Sequence, residues 1–115
     1  NLEAQMDTHA HQLSGGEQQK LALIGALASQ PSLLFLDEPT SHLDYESTTA
    51  IEQMIQDAHA DGTTIIMTSH NRAQAERLAQ HVLFIHAGQL LESRPAADFF
   101  HKPADPIANN FLNHL

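Results

Sequence analysis

Cysteine and tryptophan are missing from the 115 residues, and only 5 lysines and arginines stand against 14 aspartates and glutamates. Without cysteine there is no disulfide and no thiolate metal site, and a cytosolic location is permitted. The shortage of basic residues leaves a formal net charge of −9 and a pI near 5.2. Such a surface repels phosphate backbones, which argues against free nucleic acid as a partner. No apolar run approaches the ~18 residues that span a bilayer, and no basic-then-apolar leader follows Asn1. Membrane association is therefore expected to run through a partner. The start at Asn1 rather than Met fits a fragment or a processed chain alike, and 115 residues suffice for one small domain.

Apolar residues make up 42% of the chain, a normal share for a protein that folds around a core. Residues 1–12 are polar, without a clear period, and read as a loop or the tail of a helix. His9 and His11, two apart, lack a third ligand at metal-site spacing and read as solvated. From Ser14 to about Ser29, Leu21, Leu23, Ile24, Leu27 and Ala28 suggest a helix with one buried face, ended by Gln30-Pro31. Leu33 to Leu36 is a short apolar run closed by Asp37-Glu38-Pro39, the pattern of a parallel strand buried on both faces. Glu46 to Ala60 reads as a helix with Ile51, Met54, Ile55 and Ala58 on one side, stopped by Asp61-Gly62. Thr63 to Ser69 reads as a second strand. Asn71 caps a helix to about Gln80, with Gln74 at the capping-box position. His81 to His86 and a short Leu90 to Glu92 complete the strands, and Pro95 opens a helical tail interrupted at Pro103 and Pro106. Alternating strands and helices at this spacing predict right-handed crossovers and an open parallel sheet.

Three clusters carry chemistry. In Leu13-Ser14-Gly15-Gly16-Glu17-Gln18-Gln19, Ser14 and Glu17 form a capping box, a common helix start that is weak evidence by itself. Two glycines in a first helical turn cost roughly 1 kcal/mol each unless something needs them. Baring the backbone amides to a phosphate at the positive helix end is such a need. The second cluster is the strand ending in Asp37 and Glu38. Two carboxylates at the carboxyl edge of a sheet stand where open α/β folds bind ligands. Asp37 suits Mg²⁺ as a hard oxygen ligand, and Glu38 suits the role of general base toward an attacking water; the bland alternative is an exposed acidic turn. The third is Thr68-Ser69-His70, at the tip of the strand expected beside the first. A histidine after a strand is more often a plain surface residue, and its position is what singles out His70.

Together these residues resemble the ATP-binding-cassette (ABC) ATPases. Ser14 to Gln18 looks like the ABC signature, Leu33 to Glu38 like the Walker B strand with its catalytic glutamate. Pro39-Thr40-Ser41-His42-Leu43-Asp44 is similar to the approach to the D-loop, and His70 resembles the switch histidine. The match covers about residues 10–95. It implies that Ser14, Gly15 and Gly16, with Glu17 beside them, meet the γ-phosphate of ATP held by a second subunit. It further implies that Asp37 serves Mg²⁺, Glu38 the lytic water and His70 the γ-phosphate, while Asp44 lies at the interface of a head-to-tail dimer. No G-x-x-x-x-G-K-[ST] occurs in the sequence, so the phosphate loop is absent, as are the adenine-stacking aromatic and the glutamine loop. Lys20 and Gly25 stand where the family usually has arginines, weakening the helix and removing a charge contact, and His42 replaces a small residue.

The expected fold is thus α/β, the C-terminal part of a P-loop NTPase sheet flanked by helices, with the P-loop strand missing. Residues 1–31 would end the helical subdomain, 32–94 form the core and 95–115 the C-terminal tail. The tail, from Gly88-Gln89-Leu90 through Phe99-Phe100 to Phe111-Leu112, is similar to that of bacterial importers of small solutes, most like those for tungstate and related oxyanions, then those for polar amino acids. That resemblance implies an ATPase subunit at the inner face of the cell membrane. Its partners would be permease subunits, a second ATPase and, indirectly, a solute-binding protein. The competing classes are a truncated module that binds without turnover, and a DNA-repair ATPase, which would need long heptads before Ser14 and a basic surface. A missing P-loop strand further predicts that Leu33–Leu36 pairs with Thr63–Ser69, that no regular ladder joins Thr63–Ser69 to His81–His86, and that Ile65, Met67, Leu83 and Ile85 are poorly covered.

Overall fold

The computed structural model describes residues 14–101 and 105–113. The loop expected over residues 1–12, Leu13, the His9–His11 pair and the break at Pro103 lie outside the described residues. The chain divides into two units, the first reaching Thr68 and the second beginning at Ser69.

The first unit runs α1 (Gly15–Ala28), β1 (Leu33–Asp37), α2 (Tyr45–Ala60), β2 (Thr64–Thr68). The strands pair in parallel, with Leu33 opposite Thr64, Phe35 opposite Ile66 and Asp37 opposite Thr68. Alternation along each strand sends Leu34, Leu36, Ile65 and Met67 onto Leu23, Ile51 and Ile55 of the two helices. Ile51 is fully buried. The pairing expected for Leu33–Leu36 is therefore present, but the burial expected on both faces of β1 is not. Both helices cover the same face, and Leu33, Phe35 and Ile66 on the other are 58%, 63% and 44% exposed. The expectation that Ile65 and Met67 would be poorly covered is likewise corrected, since the strand's period of two turns them inward and Ile66 outward. Ile24 and Ala28 of α1 also face solvent, because Leu23 and Leu27, one turn apart, take the face toward the sheet. The expected stop at Asp61-Gly62 is found: Gly62 has φ +104°, in the region open to glycine.

The second unit runs α3 (Arg72–Leu78), β3 (His81–His86), β4 (Gln89–Pro95), α4 (Ala96–His101), α5 (Pro106–Asn113). Ala87 and Gly88, both at positive φ, make the two-residue turn of an antiparallel β3–β4 hairpin with a bulge at Phe84/Ile85. Among the described residues the strands thus form two two-stranded sheets, β1–β2 and β3–β4. As expected, no ladder among the described residues joins Thr63–Ser69 to His81–His86; the latter is half of a hairpin with β4, its neighbour in the chain, and not a strand of the parallel sheet. Strand β4 is longer than the Leu90–Glu92 expected. Pro95 ends it instead of opening the helix, and Pro106 opens α5, where its missing N–H costs nothing. Phe84, Phe99, Ala108 and Leu112 form this unit's core, with the Phe84 and Phe99 rings 5.9 Å apart. Leu83 and Ile85, on the opposite face of β3, are 56% and 64% exposed, as expected.

Candidate functional site

Four of the elements needed to place the candidate residues lie in the first unit, and the chemistry gathers at the carboxyl ends of β1 and β2. Ser14 is the N-cap of α1. Its hydroxyl accepts the Glu17 N–H at 3.1 Å and donates to the Glu17 carboxylate at 3.0 Å. The reciprocal arm of the capping box therefore goes to the hydroxyl, not to the backbone of Ser14. Gln18 N–H donates to Ser14 O at 2.9 Å. The amides of Gly15 and Gly16 are the first-turn donors that helix geometry leaves without an intrahelical acceptor. Gly15 is exposed and Gly16 buried.

Asp37 ends β1 in the exposed position of its alternation, and Glu38 follows with φ +43°. This left-handed residue turns the chain off the sheet edge, and Ser41 N–H closes the turn on Glu38 O at 3.1 Å. One side chain joins the two carboxylate positions. The Thr68 hydroxyl donates to Asp37 Oδ1 at 2.5 Å and accepts the Glu38 N–H at 2.9 Å. Sequence reasoning named Thr68 only as part of a cluster and gave it no role. The signal that reveals it is register, since Thr68 is the cross-strand partner of Asp37.

Asp44 caps α2, its Oδ1 accepting the Ser47 N–H at 2.7 Å. That backbone bond, then a hydrogen bond from the Ser47 side chain, hold the Asp44 carboxyl below its ordinary range; the charge of Lys20 adds to the lowering. Ser47 is buried, and nothing in the sequence reading singled it out. His70 lies in the second unit, exposed, directly before the Asn71 N-cap of α3. Asn71 accepts the Gln74 N–H at 3.0 Å. The buried Gln74 side chain accepts from the Ser69 hydroxyl at 2.9 Å.

Among the described residues no three His, Cys, Asp or Glu side chains gather as a metal site. Asp37 presents one hard carboxylate. That fits Mg²⁺, which keeps several waters and is shared between one or two carboxylates and substrate phosphates; it does not fit a cage built from protein alone. A groove lined by Leu27, Pro31, Met54, Asp57, Asp61 and Thr63 opens at the other end of the strands, away from Asp37.

Parallel strands with adjacent carboxylates at the carboxyl end of β1, beside a helix opened by a capped glycine pair, make an α/β arrangement whose fold matches a cassette of the P-loop NTPase class. A solved ATP-binding cassette of an ABC transporter, MJ1267, superposes with a TM-score of 0.78 at 21% identity, over 96% of this chain and 45% of that one. The chain belongs to the family described as "AAA domain, putative AbiEii toxin, Type IV TA system", whose model matches residues 5–73. It is 37% identical to the L-cystine import ATP-binding protein TcyC of Bacillus subtilis, over 99% of this chain and 46% of that protein. Identity is 38% with the phosphate import ATP-binding protein PstB of Aeropyrum pernix, over 93% of this chain and 43% of that protein. With PstB 1 of Vibrio cholerae it is 43%, over 90% and 38%. The chain spans less than half the length of these relatives. Among the described residues no helix is long and apolar enough to cross a membrane.

Proposed function

We propose that this chain is the C-terminal half of the ATP-hydrolysing subunit of an importer for a small solute. The observation that supports it most is the 37% identity to an import ATP-binding protein over 99% of the chain, a span that includes every candidate residue. In this reading residues 1–31 end the helical subdomain, 32–94 carry the catalytic core and 95–115 form the tail. Ser14, Gly15 and Gly16, with Glu17, face the γ-phosphate of ATP bound by a second subunit in a head-to-tail dimer. Asp37 contributes to Mg²⁺ binding, Glu38 orients and deprotonates the attacking water, and His70 contacts the γ-phosphate. Asp44 lies at the dimer interface. Bound Mg²⁺, held in part by Asp37, would neutralise phosphate charge, and Glu38 would position the water and take its proton.

The subunit would work on the cytoplasmic face of the membrane with permease subunits and, through them, a solute-binding protein. An oxyanion is the proposed solute class, supported by the phosphate-import relatives; tungstate itself has no support among them. A polar amino-acid solute is the second reading, favoured by the cystine-import relative. The test uses a cassette in which this chain is joined to the N-terminal half of such a relative. Glu38→Gln should leave ATP binding in place and cut turnover about 100-fold or more, the range for loss of a general base. Loss of ATP affinity at unchanged turnover would instead assign Glu38 to binding. His70→Ala should lower turnover as well, and full activity would leave His70 a surface residue.

A further inference from the structure

The first turns of α1 and α2 meet at one point. A Cβ built on Gly16 falls 2.6 Å from the Cβ of Ser47 and closer still to its Oγ. Real Cβ atoms do not approach so near, and the obstacle is the root of a buried side chain, 6% exposed, which cannot swing aside. The neighbouring glycine differs. A Cβ on Gly15 meets only Leu43 Cδ2, at 3.8 Å, an ordinary contact. Ser47 is itself pinned, because its N–H donates to the Asp44 cap at 2.7 Å.

We infer that Ser47 is a positioning residue for the proposed phosphate-facing turn, and that Gly16 must be glycine in order to seat that turn on the capped start of α2. The two glycines then have separate reasons. Gly15 is dispensable for packing, whereas Gly16 lets the Ser14–Glu17 turn and the Asp44 cap move as one body. Displacing Ser47 would shift the turn relative to Asp44 without touching any group that meets nucleotide. The packing stands on the geometry alone, while the positioning role rests on the function proposed above.

The experiment is a size exchange. In the nucleotide-free 115-residue chain, Gly16→Ala should lower the denaturation midpoint clearly more than Gly15→Ala does. Adding Ser47→Gly to Gly16→Ala should bring the midpoint back to that of Ser47→Gly alone. Ser47→Ala, which keeps the obstructing Cβ, should give little rescue. In the completed cassette, hydrolysis lost in Gly16→Ala should return in the Gly16→Ala/Ser47→Gly pair. Gly16→Ala no more harmful than Gly15→Ala, or a double variant no more stable than Gly16→Ala, would overturn the packing claim. A double variant that regains stability but not hydrolysis would overturn the positioning role and leave Gly16 needed at the nucleotide. A completed cassette without any ATPase activity before substitution would count against the proposed function, and the midpoints would still decide the packing.

Discussion

A single hydroxyl ties together the two carboxylate positions at the end of β1. Thr68 donates to Asp37 and accepts from the Glu38 backbone, so it fixes both the acid and the left-handed turn that follows. Thr68→Val keeps the shape and the strand preference but removes both bonds. It should cost about 1 kcal/mol of stability, with Thr68→Ser close to the parent, as read from urea unfolding. An unchanged midpoint in Thr68→Val would show that water replaces the hydroxyl at no cost. Asp44 gives a pH-dependent expectation. Its folded carboxyl titrates below the ordinary range because Ser47 bonds its ionised form. The unfolded chain therefore takes up the proton first as pH falls. The stability this cap contributes is complete above the ordinary carboxylate value of about 4 and is lost as pH falls through the lower folded value. Asp44→Asn, which keeps a cap oxygen but cannot titrate, should lose less stability between pH 5 and pH 3 than the parent; equal acid sensitivity would remove Asp44 from the explanation. Residues with a sequence-local role, Ser14 and Asn71 as caps and Asp37 as a strand end, were legible before any fold was known. Thr68 and Ser47 were not, since the residues they meet, Asp37 and Gly16, are each 31 residues away in sequence and are found only through a strand register or a helix crossing.

Element by element, the boundaries follow local chemistry closely. Helix α2 ends at Asp61-Gly62 because Gly62 takes positive φ, and the β3–β4 turn forms at Ala87-Gly88 for the same kind of reason. Long-range cover was less legible. The run Leu33-Leu34-Phe35-Leu36 looks like a strand buried twice over, yet Phe35 is 63% exposed. Continuous apolar character reports the surroundings a strand is suited to, and cannot say whether they belong to the same stretch of chain. The apolar row Leu33, Phe35 and Ile66 beside the strand edges is an aggregation liability. Phe35→Thr should change stability by no more than about 0.5 kcal/mol while reducing self-association in sedimentation. Ile51→Ala, at a fully buried position, should cost about 2–5 kcal/mol. Comparable losses at the two positions would contradict the one-sided cover of β1.

For the molecule as a whole, what is present and what is absent have equal weight. The chain carries adjacent carboxylates at a strand end and a capped glycine turn, spans less than half the length of its curated relatives, and contains no G-x-x-x-x-G-K-[ST]. In the proposed function, the chain without such a loop would leave the β- and γ-phosphates of ATP short of donors and Mg²⁺ without its hydroxyl ligand. The division of labour between the two halves is tested most directly by phosphate release from ATP and Mg²⁺, measured on the 115-residue chain and on the chain joined to a relative's N-terminal half. The account predicts background release from the chain alone, and ATP hydrolysis from the joined cassette that Glu38→Gln cuts about 100-fold or more. Hydrolysis by the chain alone that disappears in Glu38→Gln, or hydrolysis by the joined cassette that the substitution leaves unchanged, would contradict the account.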